Sequence, residues 1–176
     1  MIPLYILGLL QRFGPQHGYQ IKKHIAEELA DFTQIKLPTI YYHLEKMAKD
    51  GLIVGKDEKA DNRPAKTVYT VTDAGLSTFN AQLEALLHFE YRPTFDSDGL
   101  FFFADYLNES LIATHLSDYI SHLISMCDTL RKHQEETLHF VPESFQTMVK
   151  IIFSHHMHHY EAELKWAQET QNLLNL

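Results

Sequence analysis

Apolar residues fall along this chain in two arrangements, one short and broken, the other long and regular. Residues 2–13, IPLYILGLLQRF, are apolar on nearly every side, which predicts a mostly buried helix that Gly14-Pro15 ends. After His17-Gly18 a second helix is expected over roughly Tyr19 to Leu29, with Ile25 and Leu29 inward and Lys22, Lys23 and Glu27 outward. Residues 30–37 connect it to a third helix from Leu37 to about Asp50. Pro38 suits its first turn, Ile40, Leu44 and Met47 recur on one face, and Gly51 ends it. The period then changes. Leu52-Ile53-Val54 and Thr67-Val68-Tyr69-Thr70-Val71 read as two strands around a polar tip from Lys56 to Lys66. Thr72-Asp73-Ala74-Gly75 caps a fourth helix continuing to about Glu90, with Ala81, Leu83, Leu86 and Leu87 on its apolar side.

The second half has longer elements. Residues 91–99, with Pro, Asp, Ser and Gly, read as a linker between a domain at 1–90 and another at 100–176. A short helix is expected at 100–107, where Phe101, Phe102 and Phe103 require cover on more than one side. Asn108 is the expected N-cap of a helix from Glu109 to about Glu136. Its apolar positions, Ile112, Leu116, Tyr119, Leu123, Met126 and Leu130, alternate between four- and three-residue steps, as in a coiled-coil seam. Val141-Pro142 breaks the chain before a last helix from Glu143 to Leu173. Its expected stripe includes Phe145, Val149, Ile152, His156, Tyr160, Leu164 and Ala167, with Trp166 near its end. Two long seams recruit further helices to close a core. A second copy of the chain is the expected source, with Leu116, Tyr119, Leu123, Ile152, His156, Tyr160 and Trp166 at the dimer contact. The expected fold class is therefore mainly α: an N-terminal winged helix-turn-helix with a two-stranded β-wing, then a C-terminal antiparallel helical dimerisation domain.

Charge sharpens this division. The 176 residues carry a net charge of −8, which argues against a nucleic-acid binder until it is split. Residues 1–80 hold ten Lys/Arg against nine Asp/Glu, net +1. Residues 81–176 hold five against fourteen, net −9. Only the first half suits a polyanion. The single cysteine, Cys127, permits neither an internal disulfide nor a cysteine-cluster metal site, and its expected role is packing. No apolar run approaches the roughly 18 residues of a membrane span, and the first residues lack a signal-peptide pattern. A cytoplasmic location is expected. Nucleophile elbow, phosphate-binding and dinucleotide-binding glycine motifs are absent from the sequence, so a non-enzymatic role is expected.

The third helix carries the chemistry. Its outer face offers Thr39, Tyr42, His43 and Lys46, short hydrogen-bonding, aromatic and singly charged groups suited to a major groove. The wing adds Lys56, Lys59, Arg63 and Lys66 for phosphate or minor-groove contact, against the alternative of a solvated hairpin loop. In the second half Phe101, Phe102, Phe103 and Tyr106 either line a pocket for an apolar or phenolic effector or simply form core. Nine of the twelve histidines lie there, and His155, His159 and Glu163 share a helical face at ligand spacing for Zn²⁺ or a similar ion. The alternative is that these are surface or dimer-contact residues and that the protein needs no cofactor. Two other functional readings remain beside a DNA-binding regulator: a winged-helix adaptor for protein partners, and a metal-responsive regulator.

Four segments in order, ILGLL at 6–10, GPQHGYQI at 14–21, TIYYHLEKMAKDGLI at 39–53 and VYTVTDAG at 68–75, give the chain a family likeness. It resembles the PadR family of bacterial transcriptional regulators, closely over about the first 80 residues. LFFFADYL at 100–107 and HYEAELKW at 159–166 are similar, more loosely, to the C-terminal dimerisation helices of its long-domain branch. The resemblance implies a homodimeric repressor reading an inverted-repeat operator and released by an effector. By position Tyr41 falls where the family has its usual tyrosine in the third helix and so joins the DNA-contact set, or packs its ring under the wing. Tyr42-His43 stand where many members have Pro-Ala, and Pro64-Ala65 splits the basic residues of the wing.

Overall fold

The computed structural model describes residues 1–29, 33–60, 63–91 and 93–174, with the side chains of 59, 60 and 63–65 also outside the description. Contacts divide the chain into Met1–Arg92 and Pro93–Leu176. The first unit runs α1 (Ile2–Phe13), β1 (Gln16–His17), α2 (Gly18–Glu28), α3 (Leu37–Lys49), β2 (Ile53–Ala60), β3 (Arg63–Val71) and α4 (Asp73–Ala85). The second contains α5 (Asp96–Phe102), a single 3-10 turn (Ala104–Tyr106), α6 (Glu109–Phe140) and α7 (Glu143–Leu173). Residues 91–99, expected as linker, thus already hold the start of α5.

In the first unit one core is shared by all the helices before the wing. Ile6, Leu7, Ile21, Ile40, Leu44 and Ile53 are fully buried, and Met47, Ile25 and Tyr69 join them. Each such aliphatic side chain contributes about 1.5–3 kcal/mol on leaving water. The spacing of Ile40, Leu44 and Met47 presents α3 to that core along one stripe, so its opposite face is left to solvent.

The sheet differs from the expectation in two ways. It has three strands, in the order β1-β3-β2, because Gln16 and His17 pair antiparallel with Tyr69 and Val68. Two residues carry no period-2 signal, so this strand was not legible in the sequence. The wing ladder is also longer than expected. Lys56 pairs with Val68, Asp57 with Thr67 and Glu58 with Lys66, with an irregularity between Glu58 and Ala60. Lys56 and Lys66, placed on a loop by their polarity, therefore sit on strands. Backbone pairing and the Thr67 hydroxyl donating to Asp57 Oδ1 at 2.7 Å extend the hairpin where side-chain hydropathy does not. The fourth helix stops at Ala85 rather than near Glu90, and Leu86 and Leu87 beyond it are exposed.

The ends of α3 and α4 are tied together. Gly51 adopts φ +74°, and the Leu52 N–H donates to the Met47 carbonyl at 2.9 Å, closing the last turn of α3. The Thr72 hydroxyl donates to the carbonyls of Gly51 (2.8 Å) and Leu52 (3.0 Å), and accepts from the Gly75 N–H at 3.1 Å as the N-cap of α4. Gly75 is buried, and a β-carbon there would meet the Leu52 carbonyl oxygen and Val71.

The second unit is built on α6 and α7, which pack against each other. Asn108 accepts from the Ser110 N–H at 2.8 Å and caps α6. Gln146 donates to the Leu138 and Val141 carbonyls at 3.2 and 3.3 Å, covering acceptors left open where α6 ends. The seam closes within the chain. Leu116, Leu123 and Ala167 are buried, with Tyr160 and Trp166 packed on them. Four of the positions assigned to a dimer contact, Leu116, Leu123, Tyr160 and Trp166, are thus occupied inside one protomer. A heptad-like step pattern shows that a seam exists and is silent on whether the facing helix belongs to the same chain. Along α7 the stripe is also displaced: Phe153 is buried, while Ile152 is largely exposed and His156 half-buried.

Replacing Gly75 by Ala will destabilise the protein by about 1–3 kcal/mol, because the backbone it meets cannot yield cheaply. A fall in the urea midpoint at constant slope checks this. Gly99→Ala, in open space within α5, will not lower the midpoint.

Candidate nucleic-acid interface

The exposed face of α3 is built by subtraction. With Ile40, Leu44 and Met47 inward, the outward positions are Pro38, Tyr41, Tyr42, Glu45, Lys46 and Lys49, with Thr39 and His43 half-buried beside them. Thr39, Tyr42, His43 and Lys46 therefore share one helix and one accessible region, as their spacing requires. Tyr42 and His43 meet edge-on, ring centroids 5.2 Å apart. Tyr41 is placed differently from its neighbours. Its ring lies against Gly18 at the start of α2, so close that a β-carbon at Gly18 would stand 2.7 Å from it. It braces α3 on α2 and keeps part of its ring accessible.

Burial holds the His43 imidazole below its ordinary value of 6.5, and Lys46 and the N-terminal ammonium push it further down. The ring is therefore neutral at pH 7, offering one donor and one acceptor nitrogen rather than a charge. Of the four candidates Lys46 alone supplies a charge. Burial raises the Tyr69 hydroxyl above its usual value, helped by Glu45, while its hydrogen bond with Thr67 opposes the shift. It stays a neutral phenol.

Two features add to this face without having been singled out by residue type. The start of α2 is closed by a reciprocal cap: the Gln20 N–H donates to His17 Nδ1 at 3.2 Å, and the His17 N–H donates to Gln20 Oε1 at 3.0 Å. A histidine in place of Ser, Thr or Asp hides that cap from a sequence search. Exposed Tyr19 and Gln20 stand in that first turn, where helical N–H groups favour an anion. The second feature is Glu45, an exposed carboxylate among the candidate contacts. In the wing Lys56 and Lys66 are exposed, and Lys66 stands opposite Glu58 in the ladder. The side chains of Lys59 and Arg63 lie outside the described residues.

The other candidates lie in the second unit. Of the four aromatic residues assigned to a pocket, Phe101 lines a cavity and meets Trp166 edge-on, ring centroids 5.9 Å apart. Phe102, Phe103 and Tyr106 are exposed and stand outside it. Of the run Leu100 to Phe103, the first two residues line the cavity and the last two do not. His155 and His159 bring their Nε2 atoms to 3.2 Å, whereas Glu163 accepts from the Tyr119 hydroxyl at 3.0 Å. Among the described residues no three His, Cys, Asp or Glu side chains converge as a metal site. The triad of His155, His159 and Glu163 is therefore not assembled: helical spacing aligned them, and Tyr119 on α6 engages the carboxylate. Nor is any described helix long and apolar enough to cross a membrane.

His43 will titrate with a midpoint below 6.5, and Lys46→Ala will raise it. Its contribution to stability will be present above 6.5 and lost as pH falls towards the folded midpoint, because the unfolded chain takes the proton first. The imidazole resonances of the two proteins across pH 5–8 check both statements.

Comparison with known proteins agrees with this geometry. The family model described as the transcriptional regulator PadR-like family matches residues 6–81. The negative transcriptional regulator PadR of Bacillus subtilis (strain 168) is 37% identical over 70 residues, which is 40% of this chain and 38% of that protein. The matched region thus spans well under half of that relative. Among solved structures, Bacillus subtilis PadR in complex with operator DNA superposes with a TM-score of 0.78 at 21% identity, over 98% of each chain. The same regulator in complex with p-coumaric acid gives 0.77 at 21% identity over both whole chains. The Vibrio cholerae virulence activator AphA gives 0.75 at 17%, over 99% of this chain and 98% of that one. At these identities the likeness to the solved structures is one of fold.

Proposed function

We propose that this chain, whose residues 6–81 match the PadR-like family of transcriptional regulators, is a homodimeric DNA-binding repressor. The observation that carries this is the exposed face of α3, where Thr39, Tyr42, His43 and Lys46 stand clear of the core. That helix enters a major groove. Tyr42 and neutral His43 meet base edges, and Lys46 neutralises a phosphate. The first turn of α2 and Lys56 and Lys66 of the wing contact the backbone on either side. A unit with a net charge near zero uses few ionic contacts, so binding depends on fit as much as on charge.

Two copies place two α3 helices on successive major grooves, about 34–36 Å apart, and so read an inverted repeat. The surface that joins them is the one the internal seam leaves over. Ile124, Met148, Ile151 and Ile152 remain exposed on α6 and α7, more apolar area than an isolated pair of helices tolerates. Bacillus subtilis PadR is a negative regulator, and the Vibrio cholerae neighbour is an activator. The 70-residue sequence match to the former favours repression. An effector releases the operator by stabilising a dimer whose reading helices no longer span both half-sites.

A gel shift on DNA upstream of the chain's own coding region tests this reading. Sequence-specific retardation is expected, and its absence at moderate salt would favour a protein-interaction adaptor. Lys46→Ala will weaken binding to all sequences alike and reduce the salt slope by about one. An unchanged slope removes Lys46 from the contact set.

A further inference from the structure

The second unit contains a cavity of about 570 Å³, within the range of small-molecule sites. It lies where α5, the start of α6 and the end of α7 meet. Phe101, Leu111, Ile112, Leu116 and Trp166 give it an apolar wall. Its polar part is one-sided. Among the described residues the lining includes two carboxylates, Asp96 and Glu163, with Tyr119 and His115, and no Lys or Arg. Glu163 is half-buried and accepts from the Tyr119 hydroxyl at 3.0 Å. That bond uses one acceptor site on a group that has several. A negative charge beside an apolar wall, with the aromatic residues Tyr119 and Trp166 and no Lys or Arg among the described lining residues, repels an anion and favours a cation.

We propose that this cavity binds a cationic amphiphile, an organic amine whose ammonium group is held by Glu163 and whose apolar body lies against Phe101, Leu111 and Trp166. The p-coumaric acid bound by Bacillus subtilis PadR is a carboxylate at neutral pH and is the wrong charge for this lining. That the amine acts as an effector rests on the regulator reading above. The occupancy of the cavity does not.

Trp166 is the chain's only tryptophan and lines the cavity, so its fluorescence reports on occupancy directly. The intact protein is titrated, without DNA, with 4-phenylbutylamine and with 4-phenylbutyrate, which share a body and differ in the charge of the head. Saturable change is expected with the amine at a concentration about tenfold below that of the acid. Glu163→Gln will reduce that preference to within about threefold. Glu161→Gln will leave it intact, since Glu161 pairs with Arg131 at 3.5 Å and does not line the cavity, which controls for the acidity of the whole domain. Phe101→Ala will weaken both probes.

Absence of a saturable change with the amine overturns the proposal. So does a charge preference that survives in Glu163→Gln. An apparent Kd rising with protein concentration would mean that a second copy fills the cavity, and overturns it too. Gel shifts with and without the amine are run separately. Amine binding by a protein that retards no DNA leaves the cavity assigned and overturns the regulator reading. Retardation without amine binding does the reverse.

Discussion

Everything the first unit offers to a partner depends on how the end of α3 is fixed. The left-handed Gly51 turns the chain out of the helix, and Thr72 fastens the carbonyls of Gly51 and Leu52 to the first turn of α4. Gly75 lets α4 approach the Leu52 carbonyl without a side chain between them. Three elements, the reading helix, the base of the wing and α4, therefore share one hydrogen-bonded corner. At the other side Tyr41 rests on Gly18 and sets α3 against α2. A helix held at both its C-terminal end and its flank can present Thr39, Tyr42, His43 and Lys46 in a fixed orientation. A surface for base readout requires that rigidity more than it requires charge.

The modest charge of that surface is consistent with its neighbours. His43 is kept neutral by burial and by Lys46, Glu45 stands exposed on the same helix, and Glu58 opposes Lys66 in the wing. Polyanion affinity is thereby limited, and discrimination falls to hydrogen-bonding groups. The acidic residues are instead concentrated after residue 80, where they repel nucleic acid. Two of them, Asp96 and Glu163, give the cavity of the second unit its sign.

The second unit shows how one seam can serve two purposes. Leu116, Leu123 and Ala167 close α6 on α7 within the chain. Ile124, Met148, Ile151 and Ile152 remain for a further surface. Long helices have more than one apolar side, and a single stripe read by periodicity captures only the one with the strongest repeat. Tyr119 belongs to neither. It leaves the seam to bond Glu163, which both removes that carboxylate from the histidines and sets it in the cavity wall.

Much of the first unit was legible because its signals are local. Gly14, Pro38, Gly51 and Thr72 punctuate the chain at single positions, and Ile40, Leu44 and Met47 fix which side of α3 is buried, hence which is offered. Charge divided by halves set the first 80 residues apart as the part suited to a polyanion. The rest depended on what meets what. β1 exists only because β3 lies beside it, and the ladder of the wing continues through Lys56 and Lys66 by backbone bonds that hydropathy does not report. His155, His159 and Glu163 share a face on any helix, yet the carboxylate turns to Tyr119 on another. Phe101, Phe102 and Phe103 are adjacent in sequence, and only the first lines the cavity. Sequence alone determined the order of the helices and of the two wing strands and the buried side of α3, because these follow from backbone propensity and periodicity. Tertiary structure alone decided the partners, because hydrogen bonds and contacts between distant residues carry no periodic trace in the chain.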